Sequence, residues 1–261
     1  MAAGATYLDR ILERHRAVAA DDTRPTDRLV DEAAAMPPTR DFAGALRSAG
    51  GLAVIAEIKR RSPSKGDLNA DLDPATMAAS YERGGAACLS VLTDVEHFGG
   101  SADDLRAARS ACALPVLRKD FTVSANDVVD ARLMGADCVL LIAAALDPVE
   151  LGDLHQLAVE IGLDVLVEIH DEDELEHALS AHATLVGVNQ RDLVTFEVDH
   201  ARAVRMAGLI PERAVKVAES GVRGAADAQA LRAAGYDAVL VGETLVTAAD
   251  PAAAIAELRG T

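Results

Sequence analysis

Leu52-Ala53-Val54-Ile55-Ala56-Glu57-Ile58-Lys59 is apolar almost throughout, yet it ends on a carboxylate and an ammonium two residues apart. Alternation along a strand puts Ile55, Glu57 and Lys59 on one face and Val54, Ala56 and Ile58 on the other. A strand apolar on both faces belongs to a parallel sheet covered by helices, so the charged pair is expected to point inward, at one end of that sheet. Seven further runs repeat the pattern: Cys88–Thr93, Pro115–Lys119, Cys138–Ala143, Asp164–Ile169, Leu185–Asn189, Ala214–Glu219 and Ala238–Val241. Helical patterns follow them near 74–84, 101–112, 125–134, 147–161, 171–181, 199–207, 224–234 and 250–259. Asp73, Ser101, Ser124, Asp147 and Asp250 stand as N-caps, three of them just before proline. Eight strand–helix units predict an α/β fold, a single (β/α)8 TIM barrel. An open doubly wound sheet is disfavoured because no glycine-rich dinucleotide turn accompanies the repeats.

Residues 1–51 precede the first strand and carry helical patterns near 5–20, 26–35 and 41–49. They read as an N-terminal helical extension packed on the barrel, so residues 1–261 are expected to form one domain, with 52–261 supplying the eight units. The core must be aliphatic, since Trp is absent and aromatics make up 3% of the chain. A formal charge of −17 argues against nucleic acid and anionic membranes as partners, because both are bound by basic side chains that neutralise phosphate. No apolar run reaches about 18 residues and no basic-then-apolar leader opens the chain, which predicts a cytoplasmic protein. Cys88, Cys112 and Cys138 are odd in number and match no zinc spacing, so they read as free thiols, the expected state in a reducing compartment.

Only four lysines occur, Lys59, Lys65, Lys119 and Lys216, against twenty-one arginines. Where the composition favours arginine so strongly, a retained lysine marks a place where a compact donor with a movable pKa is needed. Residues at the carboxyl ends of barrel strands converge on one mouth, the reacting face of such folds. The strand ends here are Glu57, Lys59, Lys119, Glu168, Asn189, Arg191, Glu219 and Ser220, all polar. Lysines and carboxylates sharing one mouth can drive each other's pKa values apart for acid and base roles. After the seventh and eighth strands, Gly221 and Gly242 allow the close backbone approach that a phosphate needs.

Several longer motifs share these positions. The run Ala56-Glu57-Ile58-Lys59-Arg60-Arg61-Ser62-Pro63-Ser64-Lys65-Gly66 closely resembles the first-strand signature of the indole-3-glycerol-phosphate synthase family. The same resemblance extends through Ser90–Asp94 with Phe98–Ser101, Leu117–Phe121, Val167–His170, Gly187–Leu193, Ala218–Gly221 and Val241–Glu243. It implies a barrel that takes a phosphorylated small molecule, 1-(2-carboxyphenylamino)-1-deoxyribulose 5-phosphate, and returns indole-3-glycerol phosphate. Ring closure is followed by loss of carbon dioxide and water, without metal or organic cofactor. By motif position the resemblance makes Lys119 the general acid and Glu168 its partner base. Lys59 contacts a substrate anion and serves as an acid in dehydration. Glu57 and Asn189 position and polarise the reacting groups, Arg191 assists with anionic charge, and Glu219 binds the anilino side. Phe98 packs on the aromatic ring, while Ser62, Ser220, Gly221, Leu240, Gly242 and Glu243 line the substrate and phosphate contacts. A carboxylate at Glu243, where some relatives carry serine, is expected to turn away and leave its backbone N–H to the phosphate.

Two other functions compete. Phosphoribosylanthranilate isomerase would need a Cys/Asp acid–base pair, which no strand end offers, and a non-catalytic phosphosugar-binding regulator would have no use for Lys59, Lys119 and Glu168 together. The chain is expected to be a monomer or weak homodimer. Arg60–Asp67 reads as a flap on which Lys65 either reaches substrate or stays a solvated loop lysine, while Lys216, out of phase with Glu219, reads as a structural ion pair deeper in the barrel. His97, His155, His177, His182 and His200 read as surface residues, and the acidic run Asp171–Glu174 as a helix cap.

Overall fold

The computed structural model describes residues 6–192 and 194–260; Leu193, the last residue of the Gly187–Leu193 motif, lies outside the described residues. Eight parallel strands form a closed barrel: β1 (Ala53–Ile58), β2 (Cys88–Leu92), β3 (Val116–Lys119), β4 (Cys138–Ile142), β5 (Asp164–Ile169), β6 (Leu185–Asn189), β7 (Val215–Glu219) and β8 (Ala238–Val241). Each strand pairs with its neighbours in the chain, and β1 closes on β8 through Ala53↔Ala238 and Val54↔Val239. Every strand residue is buried except Lys119, Asp164 and Lys216. Unbroken aliphatic runs are therefore what a sheet walled on both faces requires. The first, third and seventh strands start one residue later than expected. For β3 the cause is Pro115, which offers its carbonyl to the Leu89 N–H at 2.8 Å but has no N–H to donate.

The outer helices run Pro74–Arg83, Ala102–Ala111, Ala125–Met134, Pro148–Glu160, Glu172–Ser180, His200–Ala207, Ala225–Ala233 and Pro251–Arg259. The side chains of Asp73, Ser101, Ser124, Asp147 and Asp250 each accept a backbone N–H of the following helix, and Asp171 caps the acidic run. Four short pieces at the strand C-termini escaped the sequence reading: a hairpin pairing Arg61–Ser62 with Gly66–Asp67, helices Val95–Phe98 and Glu243–Val246, and a 3-10 turn Ala143–Ala145. Elements of two to four residues are too brief to show a period.

The N-terminal segment reaches both ends of the barrel. Helix α1 (Tyr7–Asp21) lies at the strand C-termini, where His15 meets Asp94 at 3.2 Å and Arg16 pairs with Glu150 at 2.8 Å. Helix α2 (Thr26–Ala34) packs on the helix Ala125–Met134, tied by Thr26 Oγ1 to Asn126 at 2.7 Å. Helix α3 (Phe42–Arg47) sits under the strand N-termini, where the Ala43 N–H donates to Asp164 at 3.0 Å and Phe42 is fully buried. There Asp137 is completely enclosed: it accepts the N–H groups of Arg40 at 2.7 Å and Val116 at 2.9 Å, and pairs with Arg109.

Lys216 departs from expectation. Its Nζ donates to the Ala207 carbonyl at 2.8 Å, so it lies outside the barrel and caps the last turn of the helix His200–Ala207. Strand alternation explains this, since Val217 and Glu219 take the inward phase. His155 is also misjudged: it is buried in the helix Pro148–Glu160, and that burial moves its titration down. Cys88 and Cys138 are buried and free, and burial pushes both thiols up.

Candidate active site

A cavity of about 550 Å³ opens at the strand C-termini. Glu57, Lys59, Ser62, Phe98, Lys119, Glu168, Asn189, Arg191, Glu219, Ser220, Gly221, Leu240, Gly242 and Glu243 all line it, so the residues named from the sequence as catalytic or substrate-binding meet there. Its chemical centre is Lys119, the last residue of β3. The Nζ donates to Glu168 Oε2 at 2.7 Å and faces Glu219 Oε2 at 3.2 Å. Asn189 Nδ2 donates to the other oxygen of Glu168 at 2.9 Å, and Asn189 Oδ1 accepts the Arg191 N–H at 3.0 Å. Two strands away, at the end of β1, Lys59 Nζ lies 2.6 Å from Glu57 Oε1.

Two glycines make room for these groups. A Cβ at Gly187 would strike Glu219 Oε1, and one at Gly242 would strike Glu57 Oε1 and Lys59 Nζ. Close backbone approach is thus required first by the ion pairs themselves. Ser220 and Gly221 both lie in the left-handed region, φ 65° and 74°. For a serine that is a strained conformation of the kind that gathers at functional sites.

The electrostatics sort the charged groups. Burial opposes an ionised Lys119, but the carboxylates of Glu168, Glu219 and Glu57 overcome it and hold the ammonium well above its ordinary range. In the unliganded cavity these carboxylates hold Lys119 as a cation, with a proton to donate. Glu168, though buried, is brought down to about 2, chiefly by Lys119 and then by His170. Glu219 goes the opposite way, pushed up to about 7 by burial, against the pull of Lys119 and with the repulsion of Glu168. Two carboxylates on one ammonium thus occupy different protonation states near neutrality.

The rim is built from parts remote in sequence. Tyr7, Leu8 and Ile11 of α1 line the cavity, and Tyr7 packs edge-on against Phe196 and His97, with centroids 5.4 and 5.7 Å away. None of these α1 residues was foreseen, because nothing in a solitary helical pattern tells which surface it covers. His97 is enclosed at the Asp94 cap and is not the surface residue expected, whereas His200 is exposed as expected and lines the cavity beside Gly221. His15, Asp94 and Asp120 bring potential ligand atoms within 4.8 Å of one another. Each carboxylate is already engaged, Asp94 by His15 and the His97 N–H, Asp120 by Arg118, Thr93 and the Phe121 N–H. The trio works as the hydrogen-bonded seat of α1. On the hairpin, Lys65 crosses the mouth to Glu243, 3.6 Å away and also partly exposed.

A (β/α)8 barrel whose mouth holds a lysine between two carboxylates of unlike protonation, beside an independent Glu–Lys pair, defines an acid–base enzyme for a small anionic substrate. The profile of the family described as indole-3-glycerol phosphate synthase matches residues 8–258. A relative from Streptomyces coelicolor, "Indole-3-glycerol phosphate synthase 2", is 53% identical over 237 residues, covering 91% of this chain and 92% of its own. The chain belongs to the indole-3-glycerol phosphate synthase family and is a carboxy-lyase. Two solved structures share the fold: a thiamine phosphate pyrophosphorylase from Pyrococcus furiosus (TM-score 0.61, 16% identity, 82% of this chain and 96% of that one), and the Streptococcus mutans protein KGPDC (0.60, 13%, 80% and 96%). Among the described residues, no helix is long and apolar enough to cross a membrane.

Proposed function

We propose that this cavity closes the pyrrole ring of 1-(2-carboxyphenylamino)-1-deoxyribulose 5-phosphate and then removes carbon dioxide and water, as a step of tryptophan biosynthesis. The observation that carries the reading is Lys119 held between Glu168 and Glu219. Lys119 places its ammonium on the substrate carbonyl oxygen, where negative charge develops as the ring closes, and passes a proton to it. A cation fixed in a buried site before the substrate arrives needs no reorganisation at that moment. Glu168, ionised and braced by Asn189, takes the proton lost from the new ring. Lys59 meets a substrate anion and serves as the acid in dehydration, with Glu57 holding it in place. Glu219, near half-protonated at neutral pH, faces the anilino nitrogen. Arg191 balances anionic charge, Phe98 and Leu240 wall the aromatic ring, and Ser62 contacts the substrate from the hairpin. Ser220, Gly221, Gly242 and the backbone of Glu243 receive the phosphate.

The isomerase alternative gains no support from the cavity wall, where no cysteine stands among the lining residues. We further read the chain as one domain, acting in the cytoplasm as a monomer or weak homodimer. Incubating the purified protein with the carboxyphenylamino-deoxyribulose phosphate is expected to produce indole fluorescence. Absence of product, or a Lys119→Ala variant turning over at the parent rate, would refute the assignment.

A further inference from the structure

His170 follows the last residue of β5 and stands two positions beyond Glu168. Its Nδ1 lies 3.0 Å from Glu174 Oε2, in the first turn of the helix Glu172–Ser180, and that same oxygen accepts the His170 backbone N–H at 2.7 Å. The other ring nitrogen, Nε2, is buried without a hydrogen-bond partner and lies 3.7 Å from Glu168 Oε1. A neutral imidazole has one donor nitrogen and one acceptor nitrogen. With a carboxylate against each nitrogen, either neutral tautomer would set a lone pair against a carboxylate. Only the imidazolium presents an N–H to both.

We propose that His170 is a positioning residue, held as an imidazolium between Glu174 and Glu168, that keeps Glu168 ionised and aimed at the substrate. The inference rests on the reading of Glu168 as the base and adds a group that no motif assigned. Burial works against a charged ring, but Glu174 and Glu168 outweigh it and move the titration of His170 upward, with Arg202 on the neighbouring helix opposing them. The charge count gives a reason for the device. Among the described residues, Glu57 pairs with Lys59 while Glu168 and the partly protonated Glu219 share Lys119, and His170 adds a cation behind Glu168. At 3.7 Å it does so without a firm hydrogen bond that Glu168 would have to break when it takes a proton.

The test is nitrogen-15 NMR of the histidine rings in the full chain, read from about pH 5.5 to 8.5, where histidines change charge. The His170 signals are assigned by their loss in His170→Asn. That variant keeps a donor near the Nδ1 position for Glu174 and removes the charge behind Glu168. The imidazolium pattern is expected to persist above the ordinary histidine range, and Glu174→Gln and Glu168→Gln should each move its midpoint down. In turnover, His170→Asn should lower kcat about tenfold with KM little changed, and should remove the limb of the pH–kcat profile that follows the His170 titration. His170→Gln, which retains an amide near the Nε2 position, should recover part of that loss. A neutral His170 ring at pH 6.5, a midpoint indifferent to Glu168→Gln, or an unchanged His170→Asn profile would each overturn the proposal. Full turnover by Glu168→Gln would instead sink the base assignment, whatever His170 titrates like.

Discussion

At the lower end of the barrel Asp137 is wholly buried and fully engaged, by the N–H groups of Arg40 and Val116 and by Arg109. At the upper end Glu219 is just as buried, yet its Oε1 has no partner and its carboxyl titrates near 7. Both carboxylates face a basic side chain across a strand end. The lower one has both oxygens answered and serves to hold the chain just before α3 in place. The upper one is left incompletely answered, and an unpartnered buried polar atom costs stability. What separates a structural charge from a reactive one here is therefore completeness of hydrogen bonding rather than depth of burial.

Exchanging the two ends' roles by mutation is the most severe way to break this comparison. Lys119→Met should cut kcat/KM by about a thousandfold or more per folded molecule, with some loss of stability because Glu168 and Glu219 lose the ammonium they share. Asp137→Asn should do the reverse, losing about 3 kcal/mol of stability because Arg109 is left without its buried partner, with kcat per folded molecule unchanged. Urea titration alongside steady-state assays checks both, and a Lys119→Met protein that barely folds would erase the distinction.

Glu219→Gln gives a smaller, pH-dependent effect. The carboxyl rises from the ordinary 4.5 to about 7 on folding. A folded-state pKa raised in this way means that the folded protein binds the extra proton, so stability is fully present below about 4.5 and is lost as pH rises through about 7. The neutral glutamine avoids that loss. Its Tm advantage over the parent should be greater at about pH 8 than at about pH 5, and an advantage equal at both would contradict the shift.

The smallest change is expected at the rim. Lys65 and Glu243 are 55% and 42% exposed, so water and salt screen their pairing. Lys65→Ala should alter KM by no more than about fivefold and leave kcat alone, measured at low and high salt. A large fall in kcat would move Lys65 from the rim to the chemistry.

How much was legible follows the same division. The eight strands declared themselves as apolar runs ending in charge, because burial on both faces leaves no other composition. Lys119, Glu168 and Glu57 were legible for the same reason, each being a charge where an aliphatic residue would otherwise stand. Tyr7, Leu8 and Ile11 were not, since the seat of α1 depends on His15 meeting Asp94, seventy-nine positions away. Lys216 misled because scarcity marked it as special while its phase pointed outward, to a carbonyl rather than a carboxylate. His170 closes the Val167–His170 motif but was given no role there, because only the fold brings Glu174 and Glu168 to its two sides.

Helix α1 has a consequence for synthesis on the ribosome. It is made before any strand, yet what it covers includes Gly242 and Thr244, near the far end of the chain. During translation it has nothing to sit on until most of the barrel has emerged. The reaction chamber is thus roofed by a segment made before β1 and finished by one made after β8. A polypeptide released before β8 would have its lid and most of its strands, but no vessel to close.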